Sequence, residues 1–468
     1  MTRSDRTRQA GKGALMAMGR LAGWTAASLM ALTVASGAAL AQGQTRLSPE
    51  AMMTLAAETL DAGDAVGASV LADALLQRDP EDVPALILRA EAAIAMGDFT
   101  SGQRAAQRAW AAAEVEPARF ASARLAALAL SQQGAYTRAQ FWLRRARQHA
   151  PNEATSRSVA EDYQFVRRQN PLSFRLDFSV SPTDNINNGT TNDTIVLPGL
   201  PFVFALSGDS KPLSGTEITA GGKLRYRIRE GARSVTYAEV EGFARTYRLS
   251  SEALDQQPDA EGSDYAETQL SFGLGHIWLP EGGRDPWRFA IAHGRFWYGG
   301  DPWSDFTRLS VDRGVTLGPS DRLDFGLTLE RLDNVEVADS ESAGLEARWT
   351  HAFGEVGALT LLVEARKVTS DGLDRAYQSR AAGIGWSFSR IGASIFYKVE
   401  ERDYEETAYL FDTRTDTRRT LRLSVPVPAV EFYGFSPVFT AERVITDSNV
   451  TRFETETTGT GITLRSAF

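Results

Sequence analysis

From Leu172 onward the chain alternates apolar and polar residues. Leu172, Phe174, Leu176, Phe178 and Val180 are interleaved with Ser173, Arg175, Asp177 and Ser179. Successive side chains of a strand point to opposite faces, so this period of two dictates strands with one apolar and one polar face. The pattern returns at residues 223–229, 323–330, 343–349, 381–388 and 420–427. Short links such as "REGAR", "LGPSD", "FGEVG" and "SRIG" alternate with longer polar stretches at 250–264, 335–342, 371–375 and 402–412. Aromatic residues gather near strand ends, as in "IWL", "DPWRF", "FWYGGDPW" and "EFYGF". These features together describe an antiparallel transmembrane β-barrel, with tight turns on one side, long loops on the other and aromatics at the interfaces. A spanning strand needs only about 9–11 residues. Residues 171–468 therefore accommodate about 14 strands, an even number as single-chain barrels of this kind require. The least regular is "RSVTYAEVEGFARTY", where Glu239 and Glu241 share a parity with Val235 and Phe243.

Upstream the period is that of a helix. Gly63, Gly97 and Gly134 recur 34 and 37 residues apart, and Pro80, Pro117 and Pro151 follow them 37 and 34 apart. A Gly closing one helix and a Pro closing the next define helix-turn-helix units of tetratricopeptide length. Ile87, Ala90 and Ile94 give one helix an apolar face, and Ala106, Trp110 and Ala113 do the same for its partner. Residues 47–169 are expected to be an all-α tetratricopeptide-like array of about three repeats, placed in the periplasm. Its two readings are a concave surface for a partner segment or a helical spacer.

The first 41 residues have the form of an export signal. Arg3, Arg6, Arg8, Lys12 and Arg20 precede an apolar run, and Ala39-Leu40-Ala41 ends it with cleavage expected after Ala41. No later run is long and apolar enough for a membrane helix.

Several chemistries are excluded or unsupported. The chain has no cysteine, so disulfides, thiolate metal sites and a cysteine nucleophile are impossible. Its net charge of -9 gives no support to nucleic-acid binding. His149, His276, His293 and His351 form no metal-binding spacing, and neither a nucleophile elbow nor a phosphate-binding loop is present. No enzymatic activity, cofactor or metal is expected. The notable charged pattern is Lys223, Arg225, Arg227 and Arg229, a basic row on one polar face. Asp324, Glu330, Glu346, Arg348, Glu364, Arg366 and Arg422 occupy the same type of face elsewhere. A hydrated conduit and a lumen closed by salt bridges or a plug both fit such faces.

The segment "SPTDNINNGTTND", 181–193, contains two glycosylation sequons that carry little weight in a barrel of this type. It also fails as a calcium loop, because Ile186 and Ile195 stand where that loop needs oxygen ligands. In the strand pattern it marks the first strand leaving the membrane. The run "PTDNINNGT" on a first barrel strand after helical repeats resembles the surface lipoprotein assembly modifier (Slam) family. The last hairpin agrees, with Ser448-Asn449 after the penultimate strand and an alternating "TGITLRSAF" terminus. There Ile462, Leu464 and Phe468 share one face and form the expected signal for the barrel-assembly machinery.

That resemblance implies an outer-membrane factor that assists translocation and surface display of a client surface lipoprotein or secreted protein. Its partners would be that client, outer-membrane lipid and the assembly machinery. The helical domain is shorter, and the loop at 184–214 longer, than the family pattern suggests. An exopolysaccharide export porin also joins tetratricopeptide repeats to a barrel and is the alternative.

Overall fold

The computed structural model describes residues 47–196, 202–409, 413–430, 432–433 and 435–466. The signal segment with Ala41, and Phe468, lie outside these residues. The chain divides into two units, Met1–Val166 and Arg167–Phe468.

The first unit contains helices α1 (Pro49–Asp61), α2 (Ala65–Arg78), α3 (Val83–Ala95), α4 (Phe99–Ala112), α5 (Glu116–Gln132) and α6 (Tyr136–Gln148). A seventh, α7 (Glu153–Gln169), runs to the barrel. The helices pack as antiparallel pairs, and α1, α3 and α5 also pack side by side. Gly63, Gly97 and Gly134 follow α1, α3 and α5 with φ of 89°, 82° and 74°, a left-handed conformation in which glycine bears no Cβ penalty. Asp64 and Asp98 then accept from Gly67 N and Ser101 N, capping α2 and α4. The core is built from small residues: Ala90, Ala105, Ala106 and Ala126 form one buried cluster, with Leu125 and Trp142 packed on it. Alanine brings helix backbones close, so packing here depends on fit rather than side-chain bulk.

Sixteen strands follow among the described residues. They begin with β1 (Leu172–Thr183), the short hairpin β2 (Thr194–Val196) and β3 (Val203–Ala205), β4 (Gly215–Glu230) and β5 (Ser234–Leu249). Next come β6 (Glu267–Trp278), β7 (Trp287–Tyr298), β8 (Asp301–Thr316), β9 (Asp321–Asn334) and β10 (Ser340–Ala352). The last are β11 (Gly357–Ser370), β12 (Tyr377–Phe388), β13 (Ser394–Tyr404), β14 (Thr415–Pro426), β15 (Phe435–Ser448) and β16 (Thr455–Ser466). All except β2 and β3 form one closed antiparallel barrel of 14 strands, and β2–β3 is a separate hairpin. The fold class expected from the alternation is the one observed.

The rim at which β1 begins is termed proximal, and the opposite rim distal. Leu345, Val363, Phe272 and Ile384 are among the many large apolar side chains exposed on the outside. Closure leaves no unpaired sheet edge in hydrocarbon, and the apolar exterior with a polar interior is that of an outer-membrane β-barrel. Near the proximal rim Trp349, His351, Phe353, Trp386 and Phe388 form a continuous chain of ring contacts. Trp349 Nε1 donates to Asp321 at 3.1 Å, placing the amphipathic ring as an interface demands.

Loop lengths depart from the expected alternation at several places: the proximal link 279–286 has eight residues, more than the five of the distal link 335–339. The distal link between β7 and β8 is only Gly299-Gly300, with φ of 58° and 92°. Two successive positive-φ residues allow a two-residue hairpin, so these strands stay paired to their ends. Two expected loops are also shorter than the sequence suggests: residues 340–342 belong to β10, and 402–404 to β13.

Candidate functional site

The period of two sends every second side chain into the lumen. On β4 the exposed Leu224 and Tyr226 face outward, which turns Lys223, Arg225 and Arg227 inward. The row is not bare. Lys223 Nζ lies 3.0 Å from Glu239 and 2.8 Å from Glu241, and Arg225 reaches Glu239 at 2.6 Å. Arg225 also stacks over the Tyr237 ring, 4.0 Å from its centroid. Arg227 pairs with Glu230 at 2.9 Å and donates to the carbonyl oxygens of Arg168, Gln169 and Asn170. A register shift between Arg227 and Arg229 breaks the row, and Arg229 stands opposite Thr236. The neutralising carboxylates sit on β5, the strand whose parity was least regular. Its inward face carries Tyr237, Glu239, Glu241, Phe243 and Arg245, so aromatics share the lumen with charges.

The opposite wall follows the same rule over a longer reach. Glu330 receives Arg308 at 2.5 Å and Arg366 at 3.3 Å. Arg366 lies on β11 and Glu330 on β9, two strands away. On β10 between them Ser342 stands directly opposite Glu330, and the Arg366 guanidinium crosses there, donating to Ser342 Oγ at 2.9 Å. Lys398 similarly reaches Glu364 at 2.9 Å, and Arg402 pairs with Glu400 at 2.6 Å. These groups line a cavity of about 800 Å³. Charges partly removed from water are costly unless paired, and Arg308, Arg366, Lys398 and Arg402 are each held by a carboxylate from their own strand, a neighbouring strand or one strand beyond.

Three lumenal contacts set aromatic rings over glycines. Tyr237 stands directly opposite Gly275, Phe306 opposite Gly294, and Phe396 opposite Gly385. In each pair the ring occupies the space a glycine side chain would need. Such pairs pin strand register, since slipping by one residue would drive the ring to the other face.

At the distal rim "SPTDNINNGTTND" ties the first strand to the last. Asn185, 4% exposed, donates to Gly189 O at 2.9 Å and Glu456 O at 3.0 Å, and accepts from Gly189 N at 2.8 Å. Thr190 donates to Thr451 O, and Asn192 to Glu454. Asn187 donates to Lys211 O and accepts from Leu213 N, closing the 184–214 loop on itself. In that loop Lys211 holds the Asp193 carboxyl below the usual carboxylate range by hydrogen bond and charge. The asparagines thus serve backbone groups that leave the ladder. A second distal knot centres on Arg414, which pairs with Asp416 at 2.6 Å and Asp374 at 3.3 Å. Its guanidinium also lies over the rings of Tyr404 and Phe453. Asn449 adds a further tie, accepting from Thr415 N and donating to Thr413 O.

The four histidines remain apart. His149 contacts Glu116, His276 Thr236, His293 Thr307, and His351 Asp321. No cluster of three or more potential metal ligands occurs among the described residues. Ile462 and Leu464 both face outward on β16, at 55% and 42% exposure.

No protein-family model and no curated protein matches the sequence. Among solved structures, Acinetobacter baumannii OccAB3 is 6% identical with a TM-score of 0.38, over 62% of this chain and 98% of its own. A BenF-like porin from Pseudomonas fluorescens Pf-5 is 10% identical with a TM-score of 0.37, over 63% and 98%. Part of the chain overlaps the Yersinia enterocolitica type III secretion translocator chaperone SycD, at 17% identity and a TM-score of 0.24, over 27% and 90%. Likenesses this loose leave the barrel defined by its own strand pairing, and they do not identify what it carries.

Proposed function

We propose that this chain is an outer-membrane translocation factor for a client polypeptide, a surface lipoprotein or a secreted protein. The helical unit lies in the periplasm and collects the client through its stacked helix pairs. The barrel forms or gates the passage, and no covalent chemistry is involved. The observation that carries this reading is the lumen wall, a polar surface whose charges are neutralised in place by partners such as Glu239 and Glu330. An unfolded polypeptide carries both charges and apolar side chains. A wall whose charges are of both signs, and whose aromatics such as Tyr237 and Phe306 are interspersed with them, presents neither an excess of one sign nor a continuous apolar lining to retard such a chain. The resemblance of the two barrel ends to the Slam family supports the same reading, with the asparagine-rich segment and the last hairpin as its residues.

Deletion of the gene followed by protease shaving and proteomics of the cell surface tests this. Loss of one or two particular exposed proteins is expected. An unchanged surface proteome with loss of an exported polysaccharide would instead select the exopolysaccharide porin.

A further inference from the structure

The outward face changes character sharply at its distal margin. Leu309, Leu329, Leu345 and Val363 end the apolar band on β8 to β11. Just beyond that edge, outward positions become basic on several strands: Arg295, Arg331, Lys367, Arg380, Arg419 and Arg443. Five of the six are held by a carboxylate, as Arg295 by Asp305 at 2.6 Å and Arg331 by Asp333 at 2.8 Å and Glu341 at 3.3 Å. Arg380 pairs with Asp403, Arg419 with Asp447, and Arg443 with Glu456. Lys367 has no ion-pair partner among the described residues.

Lys367 also borders a groove of about 520 Å³ on this margin. Its cause is local. Ala343 on β10 stands directly between Leu329 of β9 and Lys367 of β11, and its single methyl leaves a trough between taller neighbours. Leu309 and Leu329 form the apolar side, while Lys367, Arg331, Glu341, Thr307 and Thr369 form the polar side. Asp333 and Glu341 are both engaged on Arg331, which balances the charges of this margin and leaves the Lys367 ammonium as the cation without a carboxylate in contact among the described residues.

We propose that this groove holds one phosphorylated lipid, its phosphate on Lys367 and an acyl chain along Leu309 and Leu329. The groove is continuous with the membrane-facing surface, and its apolar-to-cationic order matches a lipid entering from the hydrocarbon side. The ammonium supplies charge-assisted hydrogen bonds to phosphate oxygens. The site lies on the outside of the barrel and is independent of what passes through the lumen.

The full chain in detergent is examined by native mass spectrometry with added dioleoyl phosphatidic acid, dioleoyl phosphatidylcholine, dioleoylglycerol or inorganic phosphate. Wild type should retain one phosphatidic acid in preference to the other three. Lys367→Ala should weaken that retention about tenfold, the scale of one charged hydrogen-bonding partner. Lys367→Arg should preserve it. Ala343→Leu fills the trough without changing charge and should also abolish it, with heat-modifiable mobility confirming a folded barrel. Undiminished retention in both Lys367→Ala and Ala343→Leu would overturn the assignment, as would equal retention of dioleoylglycerol by wild type. Binding of inorganic phosphate with the affinity of phosphatidic acid would overturn the lipid as occupant.

Discussion

Thr190 donates its hydroxyl to the carbonyl oxygen of Thr451 at 2.6 Å, across 261 residues of sequence. Together with the bonds of Asn185, this contact fastens the distal end of the β1–β16 seam. That seam is joined by four register pairs among the described residues, against twelve between β1 and β4. Side-chain ties therefore matter more here than elsewhere around the barrel.

Asn185→Ala removes a buried side chain that satisfies backbone groups of both ends of the barrel. It should lower stability by about 1–3 kcal/mol, the cost of leaving such groups without partners. Thr191→Ala, at an exposed position whose backbone bond to Glu454 O an alanine keeps, should stay within about 0.5 kcal/mol. Urea unfolding in lipid vesicles measures both. Equal stabilities would show that the asparagine run is not a seam fastening.

Gly275→Ala places a methyl against the Tyr237 ring. Overpacking of this kind costs about 1–3 kcal/mol. Tyr237→Ala in the same chain should relieve most of that loss, giving a coupled double-mutant cycle. Additive effects in the same unfolding assay would contradict the ring-over-glycine pairing.

In the helical unit Arg124 of α5 pairs with Asp162 of α7 at 2.8 Å, with side chains 10% and 16% exposed. Arg124→Ala should cost about 3–5 kcal/mol because it strands a desolvated carboxylate, whereas replacing both partners by apolar residues should be far milder. Burial lifts the Asp162 carboxyl above its ordinary value, outweighing the opposing pull of Arg124. A pKa raised by folding means that the folded state binds the proton more tightly. This group's contribution is then full below the unfolded carboxylate pKa and is lost as pH rises through the folded value. Helical ellipticity melts at stepped pH should show that sign for wild type and lose it in Asp162→Asn.

Glu239→Gln removes the carboxylate shared by Lys223 and Arg225. Reconstituted in planar bilayers, the variant should shift its reversal potential toward anion preference relative to wild type. An unshifted potential would mean that this pair does not face the conducting path.

Much of the barrel could be read from the alternation alone, because one face of every strand is apolar and the other polar. Strand number, the outward placement of Ile462 and Leu464, and the inward placement of Lys223 and Arg225 all follow from that period. The neutralising partners were not legible. Glu330 meets Arg366 across an intervening strand, a contact set by register and bridged at Ser342 rather than by spacing in the chain. The same holds for Asn185: the sequence rules out a calcium loop at 181–193, but the bond to Glu456 O on the last strand depends on tertiary contact. Gly299-Gly300 was obscured by the general habit of long distal loops. In the helical unit the Gly and Pro punctuation was legible, whereas the Arg124–Asp162 pair depends on how α5 meets α7.

The central claim is that a polypeptide passes through the lumen. A photo-crosslinking amino acid at Thr328, which lines the cavity, is compared with one at Ala382 on the membrane-facing side. Irradiation of cells during export should give a discrete polypeptide adduct from position 328 and none from 382. Adducts absent from 328 while the client still reaches the surface would contradict passage through this barrel.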